Sequence, residues 1–92
     1  MNITVRVFGD FRELLDWEFA VSLPEGATVR RLLETLGERS AALLPKILDD
    51  RGQLRPYIHI LENGRNIRSL DELRTTLAED DVVAIFPPLA GG

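Results

Sequence analysis

The N-terminal residues alternate between polar and apolar side chains, and this alternation constrains the fold more than any other feature of the chain. Ile3, Val5 and Val7 are apolar, whereas Thr4 and Arg6 between them are polar. A period of two residues is typical of a β-strand that buries one face. Because the pattern begins at once, the sequence also predicts that there is no signal peptide.

A second alternating stretch, WEFAVSL, follows after the short link GDFRELLD. Trp17, Phe19, Val21 and Leu23 share one side of this stretch, and we expect that side, including Trp17, to lie in the core. Because the link is short, the two stretches are predicted to pair as an antiparallel hairpin.

The spacing of the apolar residues then changes to that of a helix. Apolar side chains recur at i, i+3, i+4 and i+7, and they are Val29, Leu32, Leu33 and Leu36. This spacing predicts a helix with one buried face. Thr28 is suited to cap its N-terminus, and Gly37 is expected to end it.

The second half of the chain is predicted to contain a loop, a hairpin, a short turn and a last strand. Residues 39–56 are expected to form a loop with a broken helical turn around Pro45 and a reversal at Gly52. Asn63-Gly64 within YIHILENGRNIR predicts a type I′ hairpin turn. SLDEL is expected to form a helical turn, and the apolar run DVVAIF suits a buried central strand.

This order of elements predicts an α+β domain with the β-grasp, or ubiquitin-like, arrangement. A mixed sheet of about four or five strands would carry one main helix on one face, with the first and last strands as parallel neighbours. We expect residues 1–86 to form this domain and residues 87–92 to form an extended tail that ends in Gly-Gly.

Composition limits the setting of such a domain. The chain has 92 residues, no cysteine and a net charge of −4. The lack of cysteine excludes disulfides and thiolate metal sites, and it fits a cytoplasmic protein. The negative charge argues against nucleic acid as a partner. No segment approaches the roughly 18 apolar residues of a membrane span, so we expect no membrane partner.

Three stretches carry a resemblance to a known family, and they are VFGDFREL, NGRNI and LAEDDVVAIFPPLAGG. Together they resemble the MoaD/ThiS family of sulfur carriers, and the paired prolines near the end are nearest to the MoaD branch. The resemblance is weakest at residues 39–56, which are longer than in the short members. The family's usual Asp-Gly-Asp turn is replaced by Glu79-Asp80-Asp81, where Asp80 is expected to adopt the left-handed backbone of the glycine.

The resemblance implies a chemistry for the end of the chain. An E1-like adenylating enzyme would consume ATP with Mg to convert the Gly92 carboxylate into an acyl-adenylate. A sulfur donor such as a cysteine desulfurase would then leave a thiocarboxylate on Gly92. In the MoaD branch the sulfur passes to the molybdopterin precursor on the large subunit of molybdopterin synthase. The chain would be a carrier subunit or co-substrate without a permanently bound cofactor or metal.

The composition of the tail suits this task. Gly91 and Gly92 lack a Cβ atom, so that the backbone can thread a narrow channel. The paired prolines stiffen the stem and reduce the entropy lost on insertion. The residues of the stem expected to contact a partner are Pro87, Pro88, Leu89 and Ala90. Six extended residues at roughly 3.3 Å each reach about 20 Å, enough for a buried active site.

Strand parity predicts a docking surface beside the tail. Phe8 and Phe86 lie on the outward sides of the first and last strands, so that parallel pairing brings them together. The family resemblance assigns both positions to the contact with the large subunit, whereas a secondary core under residues 39–56 is the alternative explanation. Arg12, in the stretch REL, is either a partner contact or an ordinary surface ion pair.

Other polar residues carry weaker signals. His59 is the only histidine, and strand parity predicts that it faces solvent. Asp49-Asp50 and Glu79-Asp80-Asp81 lack a calcium-loop pattern and are predicted to be solvated turns. The arginines between residues 65 and 74 suit either an acidic partner or a sheet edge that resists strand pairing.

Two main classes of function remain open. One is a metabolic sulfur carrier, for molybdopterin or for cysteine, thiamin or tRNA thiolation. The other is a ubiquitin-like modifier whose Gly92 is joined to lysines of target proteins. Lys46 is the only lysine of the chain, which argues mildly against chain-building on this protein. A plain ubiquitin-like interaction module is a third alternative.

Overall fold

The computed structural model describes residues 1–88, and within this range five strands form one sheet. The strands are β1 (Asn2–Val7), β2 (Glu18–Ser22), β3 (His59–Glu62), β4 (Arg65–Asn66) and β5 (Val82–Phe86). The main helix α1 (Val29–Arg39) and the short helix α2 (Leu44–Ile47) connect β2 to β3. Short 3-10 helices span Gly9–Glu13, Ile67–Ser69 and Glu72–Arg74. Within the described range, no helix has the length and apolar character needed to cross a bilayer.

The strand order in the sheet is β2-β1-β5-β3-β4. β1 pairs antiparallel with β2 and parallel with β5, and β5 pairs antiparallel with β3. The first and last strands are therefore parallel neighbours in the middle of a mixed sheet. This topology confirms the predicted β-grasp fold class.

The inward side chains of the sheet and the apolar face of α1 form one core. The fully buried residues of the two central strands are Ile3, Val5, Val7, Val83 and Ile85. The predicted helix face is also fully buried, and its members are Val29, Leu32, Leu33 and Leu36. The Thr28 hydroxyl accepts a hydrogen bond from the Arg31 backbone N–H at 3.3 Å. This bond confirms the predicted N-cap.

The turns adopt the backbone conformations that the sequence predicts. Asn63 and Gly64 have φ angles of 50° and 83°, as a type I′ turn requires. Asp80 has φ 67°, so an aspartate occupies the left-handed conformation expected in place of the family's glycine. The predicted broken helical turn at Pro45 is α2. The chain reverses at Gly52, whose φ is 76°.

Two predictions about the helix and the second strand are wrong. Gly37 does not end α1, because the helix continues to Arg39. The glycine instead allows α1 to approach α2, since a Cβ atom at Gly37 would lie only 3.3 Å from Leu44 Cδ2. Trp17 does not lie in the core, because it precedes the first residue of β2 and is 53% exposed.

Candidate functional site

The two faces of β5 differ in how deeply their side chains are buried. Val83 and Ile85 are fully buried, whereas Val82, Ala84 and Phe86 are only half-buried. Successive side chains of a strand point to opposite faces, so this pattern confirms the predicted parity of β5. Phe86 therefore lies on the outward face of the sheet at the point where the tail begins.

Phe8 lies beside Phe86 because β1 and β5 run in parallel. The Phe8 backbone N–H donates a hydrogen bond to the Ile85 carbonyl at 3.2 Å. The two phenyl rings stack, with their centroids 4.3 Å apart and their planes inclined by 8°. Both rings are half-buried, and neither belongs to the hydrophobic core. The predicted pairing is confirmed, and the contact of this pair with a partner stays a prediction.

A glycine directly after Phe8 fixes the direction in which the chain leaves β5. A Cβ atom at Gly9 would lie 2.7 Å from Pro87 Cγ, which is too close for any other residue without a shift. Gly9 also has φ 57°, a conformation that side chains disfavour. Sequence reasoning missed this residue, although its position inside VFGDFREL was the available signal. Gly9 and Pro87 together set the start of the tail.

Two further aromatic residues lie at the same end of the sheet. Trp17 precedes β2, and its carbonyl accepts a hydrogen bond from the last residue of β1 at 2.9 Å. Tyr57 comes two residues before β3, whose first residue pairs with Phe86. Trp17 is 53% exposed and Tyr57 is 68% exposed. In strand order this end of the sheet carries Trp17, Phe8, Phe86 and Tyr57, which we call the aromatic edge. Phe8 and Phe86 have the parity of the outward face, whereas Trp17 is in line with the inward Val7.

The sequence did not reveal the outer members of the aromatic edge. Trp17 continues the alternation of β2 in the sequence, and only the position of the strand end shows that nothing covers its side chain. Tyr57 precedes a predicted hairpin without a pattern that marks it. Both residue types are enriched at the centres of protein interfaces. The aromatic edge is therefore wider than the predicted pair of phenylalanines.

The polar candidates near the aromatic edge are exposed. Arg12 lies in the 3-10 helix Gly9–Glu13, and the ion pair found within residues 1–88 joins other residues, Arg6 and Glu18. The alternative of a surface ion pair for Arg12 thus finds no support in this range. His59 is exposed opposite Phe86, as strand parity predicts.

Arg68, one of the three arginines near the second hairpin, supports the fold directly. Its guanidinium donates to the Ile58 carbonyl at 2.9 Å and to the Arg55 carbonyl at 2.8 Å. These bonds tie the 3-10 helix after β4 to the segment before β3. Neither predicted role, an acidic partner or a protected sheet edge, is needed to explain this residue.

Asp81, at the start of β5, is not part of a solvated turn as the sequence predicts. It is buried and accepts hydrogen bonds from Asn63 Nδ2 at 2.8 Å and from the Ala78 N–H at 2.9 Å. The Asn63 side-chain oxygen in turn accepts a hydrogen bond from the Val82 N–H at 2.8 Å. The turn aspartate is thus a structural acceptor that joins the second hairpin to the last strand.

Asp81 and Glu62 influence each other's ionisation. A side-chain hydrogen bond with Asp81, followed by burial, raises the pKa of Glu62 to about 7. Burial opposes ionisation of Asp81, but hydrogen bonds from Glu62, Ala78 and Asn63 outweigh it and lower the pKa of Asp81. At Asp49 the hydrogen bond from the Gln53 N–H is the largest influence and lowers the pKa of the carboxyl.

No group of three or more His, Cys, Asp or Glu side chains in residues 1–88 is arranged to hold a metal ion. The remaining predicted site residues, Leu89, Ala90, Gly91 and Gly92, lie outside the described residues. Their roles stay predictions, as does the boundary between a domain at 1–86 and a tail at 87–92.

Similarity to known proteins extends over nearly the whole chain. The ThiS family model matches residues 5–92. The chain belongs to the ThiS family. Small archaeal modifier protein 3 of Haloferax volcanii is 33% identical to it over the full length of both chains. A putative sulfur carrier protein of Archaeoglobus fulgidus is 41% identical over 74% of this chain and 77% of its own length.

The fold of this ThiS-family chain is also found among solved structures. A putative molybdopterin converting factor, subunit 1, from Pyrococcus furiosus matches it with a TM-score of 0.77 and 30% identity. The match covers 97% of this chain and 99% of that chain. The predicted family resemblance is therefore confirmed, and the chain is a member of a family of ubiquitin-like sulfur carriers and modifiers.

Proposed function

We propose that this protein is a sulfur carrier whose Gly92 carboxylate is adenylated and then converted to a thiocarboxylate. The observation that carries the proposal is the geometry of the aromatic edge. There, Gly9 packs on Pro87 at the start of the tail, beside the half-buried stack of Phe8 and Phe86. Membership of the ThiS family supports the same conclusion.

The chemistry requires an activating partner. A terminal carboxyl has a pKa of about 3.3–3.7 and is therefore an anion and a poor electrophile at neutral pH. In the proposed reaction an E1-like enzyme uses ATP with Mg to form the acyl-adenylate, and AMP becomes the leaving group. Hydrosulfide would displace AMP directly and leave the thiocarboxylate. When the donor is the persulfide of a cysteine desulfurase, its terminal sulfur displaces AMP to form an acyl disulfide, and a thiol then reduces this disulfide to the thiocarboxylate. The chain itself contributes presentation of the tail and no acid or base.

Each part of the chain has a distinct role in this proposal. The sheet is a rigid platform, and the Phe8–Phe86 stack docks the partner while Arg12 contributes a charge beside it. The stem is formed by Pro87, Pro88, Leu89 and Ala90. The terminal pair Gly91 and Gly92 enters the partner's active site, where the absence of Cβ atoms permits a narrow channel.

We propose the large subunit of molybdopterin synthase as the sulfur acceptor, with both proteins in the cytoplasm. The similarity to the putative molybdopterin converting factor subunit of Pyrococcus furiosus supports this choice. The paired prolines before the last four residues support it as well. In this role the carrier docks through the aromatic edge and inserts the thiocarboxylate beside the bound molybdopterin precursor.

A second function, conjugation of Gly92 to lysines of target proteins, is favoured by one specific observation. Small archaeal modifier protein 3 is 33% identical over the full length of both chains. Activation by the same adenylating enzyme precedes both outcomes, so the two functions diverge only at the nucleophile. Lys46 is exposed on α2 and is the one side-chain acceptor for chain-building on the protein.

Intact-mass analysis tests the proposal directly. We expect incubation with the cognate activating enzyme, ATP, Mg and a sulfur donor to replace one oxygen of the protein by sulfur. Deletion of Gly92 should abolish this product and change the free energy of unfolding by no more than about 0.5 kcal/mol, because the deletion removes no residue of the core. A deletion variant that is still sulfurated at its new end would overturn the assignment.

The same sample separates the two functions. Addition of the large synthase subunit with its precursor should discharge the thiocarboxylate without forming a larger protein. If the protein acts as a modifier, a lysine-containing target gains mass by the whole chain, and peptide mapping finds an isopeptide bond from Gly92.

A further inference from the structure

A groove of about 800 Å³ lies between α1 and the residues that follow it, and none of its lining residues belongs to the aromatic edge. One wall is a face of α1, and the other is formed by α2 and the turn at Gly52. The groove lies outside the surface used in the proposed sulfur transfer, so it is a separate feature of the molecule.

The floor of the groove is apolar. Its apolar lining residues are Ala41, Leu44, Pro45 and Leu48. Leu44 packs against Gly37 of α1 and is still only half-buried, while Ala41 and Pro45 are exposed. The close approach that Gly37 permits therefore creates a shallow apolar strip that the described residues do not cover.

The two arginines that line the groove are already engaged. Arg30 Nη2 donates to the Gly52 carbonyl at 2.8 Å, and Arg55 Nε donates to the Pro45 carbonyl at 2.9 Å. These bonds hold the guanidinium groups against the walls. Both arginines keep their positive charge, so the lining carries two guanidinium groups against the four carboxylates of Glu34, Glu38, Asp49 and Asp50 and remains negative.

The carboxylates around the groove are mostly free. Asp49 accepts hydrogen bonds from two backbone N–H groups of its own turn. The side chains of Glu34, Glu38 and Asp50 make no hydrogen bond or ion pair within residues 1–88. Glu34 and Glu38 lie one helical turn apart on the same face of α1. The rim thus combines an excess of exposed negative charge with an apolar floor.

We propose that this groove binds a segment of another protein in which at least two lysine or arginine side chains flank an apolar one. Charge complementarity decides the occupant, because the free carboxylates attract such a segment. The same carboxylates repel nucleic acid and anionic lipid, both of which present phosphates. The apolar floor adds the desolvated contact that a purely ionic surface lacks.

The test uses the full-length protein and a short peptide of lysine and leucine as the probe. In an NMR titration we expect shifts at the backbone amides that border the groove, including those of Glu34, Gly37 and Leu44. A matched peptide with serine in place of leucine should bind at least about tenfold more weakly, because it lacks the apolar contact. Equal binding of both peptides, or shifts centred on the aromatic edge, would overturn the proposal.

Two matched charge variants separate groove binding from general attraction to an acidic protein. Glu34→Lys/Glu38→Lys should weaken binding about tenfold or more, whereas Glu13→Lys/Glu25→Lys changes exposed residues outside the groove and should weaken it about twofold or less. Both variants bring the net charge from −4 to zero. An equal loss in the two would contradict the proposal.

A third variant fills the groove without changing its charge. Ala41→Trp places a large ring over the apolar floor from an exposed position, and we expect it to weaken binding of the leucine peptide and leave the serine peptide unaffected. Binding that survives this change would overturn the proposal. Concentration-dependent shifts of the groove amides in the protein alone would show that a second copy is the occupant, and would overturn it too.

Discussion

The two ends of β5 differ in whether the side chains around them are satisfied within the fold. At its start, Asp81 and Asn63 bind each other and the backbone groups of Ala78 and Val82. No buried side-chain nitrogen or oxygen in residues 1–88 lacks a partner. At the other end of the strand the half-buried ring of Phe86 stacks on Phe8, and the exposed side chains of Trp17 and Tyr57 lie at the same end of the sheet. One end closes the sheet, and the other leaves apolar surface in water.

This difference has an energetic meaning. A buried polar group without a partner costs about 1–3 kcal/mol, so the satisfied start of β5 favours folding. Full burial of a large apolar side chain contributes about 1.5–3 kcal/mol, and the half-exposed or exposed rings of the aromatic edge forgo part of that gain. Folding alone gives no reason for such exposure. A partner that covers these rings when it binds the tail, as proposed above, would give a reason for their exposure.

The largest expected effect lies beyond the exposed end of β5, in the tail. Gly91→Val adds a branched side chain where the proposed partner channel is narrowest. Sulfur transfer should fall about a hundredfold, because a displacement of about 1 Å from the attack geometry has that cost. Single-turnover transfer from a preformed thiocarboxylate measures this step apart from activation.

The same variant tests whether the tail contributes to sulfur transfer without contributing to the stability of the fold. Its free energy of unfolding should stay within about 0.5 kcal/mol of the wild-type value, because the substitution lies beyond the last strand and changes no residue of the core. Wild-type transfer by the valine variant would mean that the tail is not threaded, and the interaction-module alternative would then account better for the chain.

The next effect concerns the stack at the aromatic edge. Phe86→Ala should weaken binding to the large subunit by roughly 2 kcal/mol, with a smaller loss of stability. Isothermal titration and denaturant unfolding of the same sample give both numbers. Phe11→Ala is a matched control, because this ring is 2% exposed and belongs to the core. We expect the control to lose mainly stability, and a reversed pattern would place Phe86 in the core.

The opposite end of β5 should show the opposite behaviour. Asp81→Ala leaves the Asn63 amide and the Ala78 N–H without their acceptor, so it should reduce the free energy of unfolding by about 1–2 kcal/mol. Urea unfolding at neutral pH measures this loss. Below the unfolding transition, the rate of sulfuration at Gly92 should match that of the wild type. A selective loss of sulfuration would show that the two ends are not independent.

Local patterns in the sequence predicted most of the fold. The N-cap at Thr28, the type I′ turn at Asn63-Gly64 and the left-handed Asp80 each depend on a few neighbouring residues, and all three are confirmed. The strand parity that paired Phe8 with Phe86 needed one further assumption, the parallel pairing of the first and last strands. Periodicity and turn chemistry account for the N-cap and the type I′ turn, whereas Asp80 also drew on the family resemblance and the Phe8–Phe86 pair on the assumed order of the strands.

The errors all depend on contacts between distant residues. Glycine is common at helix ends, which is why the sequence predicts that Gly37 ends α1. Its role instead depends on Leu44 of α2, whose side chain packs against it. Trp17 fits the alternation of β2, yet no later segment covers it. Asp81 is buried because Asn63 lies beside it after the hairpin folds back. Sequence periodicity shows which face a residue occupies, and it does not show what is packed there.

The smallest expected effect is a pH dependence of the free energy of unfolding, which arises from Glu62 beside Asp81 at the start of β5. The pKa of Glu62 rises from 4.5 to about 7 on folding. The folded protein therefore holds this proton more tightly than the unfolded chain. The contribution of Glu62 to stability is complete below pH 4.5 and is lost as the pH rises through 7. Asp81 acts oppositely, because folding lowers its pKa. Its contribution to stability is complete at neutral pH and begins to fall only when the pH drops below 3.8, the ordinary pKa of an aspartate.

Glu62→Gln tests this dependence, because glutamine keeps a hydrogen-bond donor toward Asp81 and does not titrate. Between about pH 5 and pH 8 the wild type should lose stability relative to the variant. The loss should stay below about 1 kcal/mol, since water screens a partly exposed carboxyl. Denaturant unfolding of both proteins across this range measures the difference. Parallel curves would show that the folded protein does not hold the Glu62 proton more tightly than the unfolded chain does.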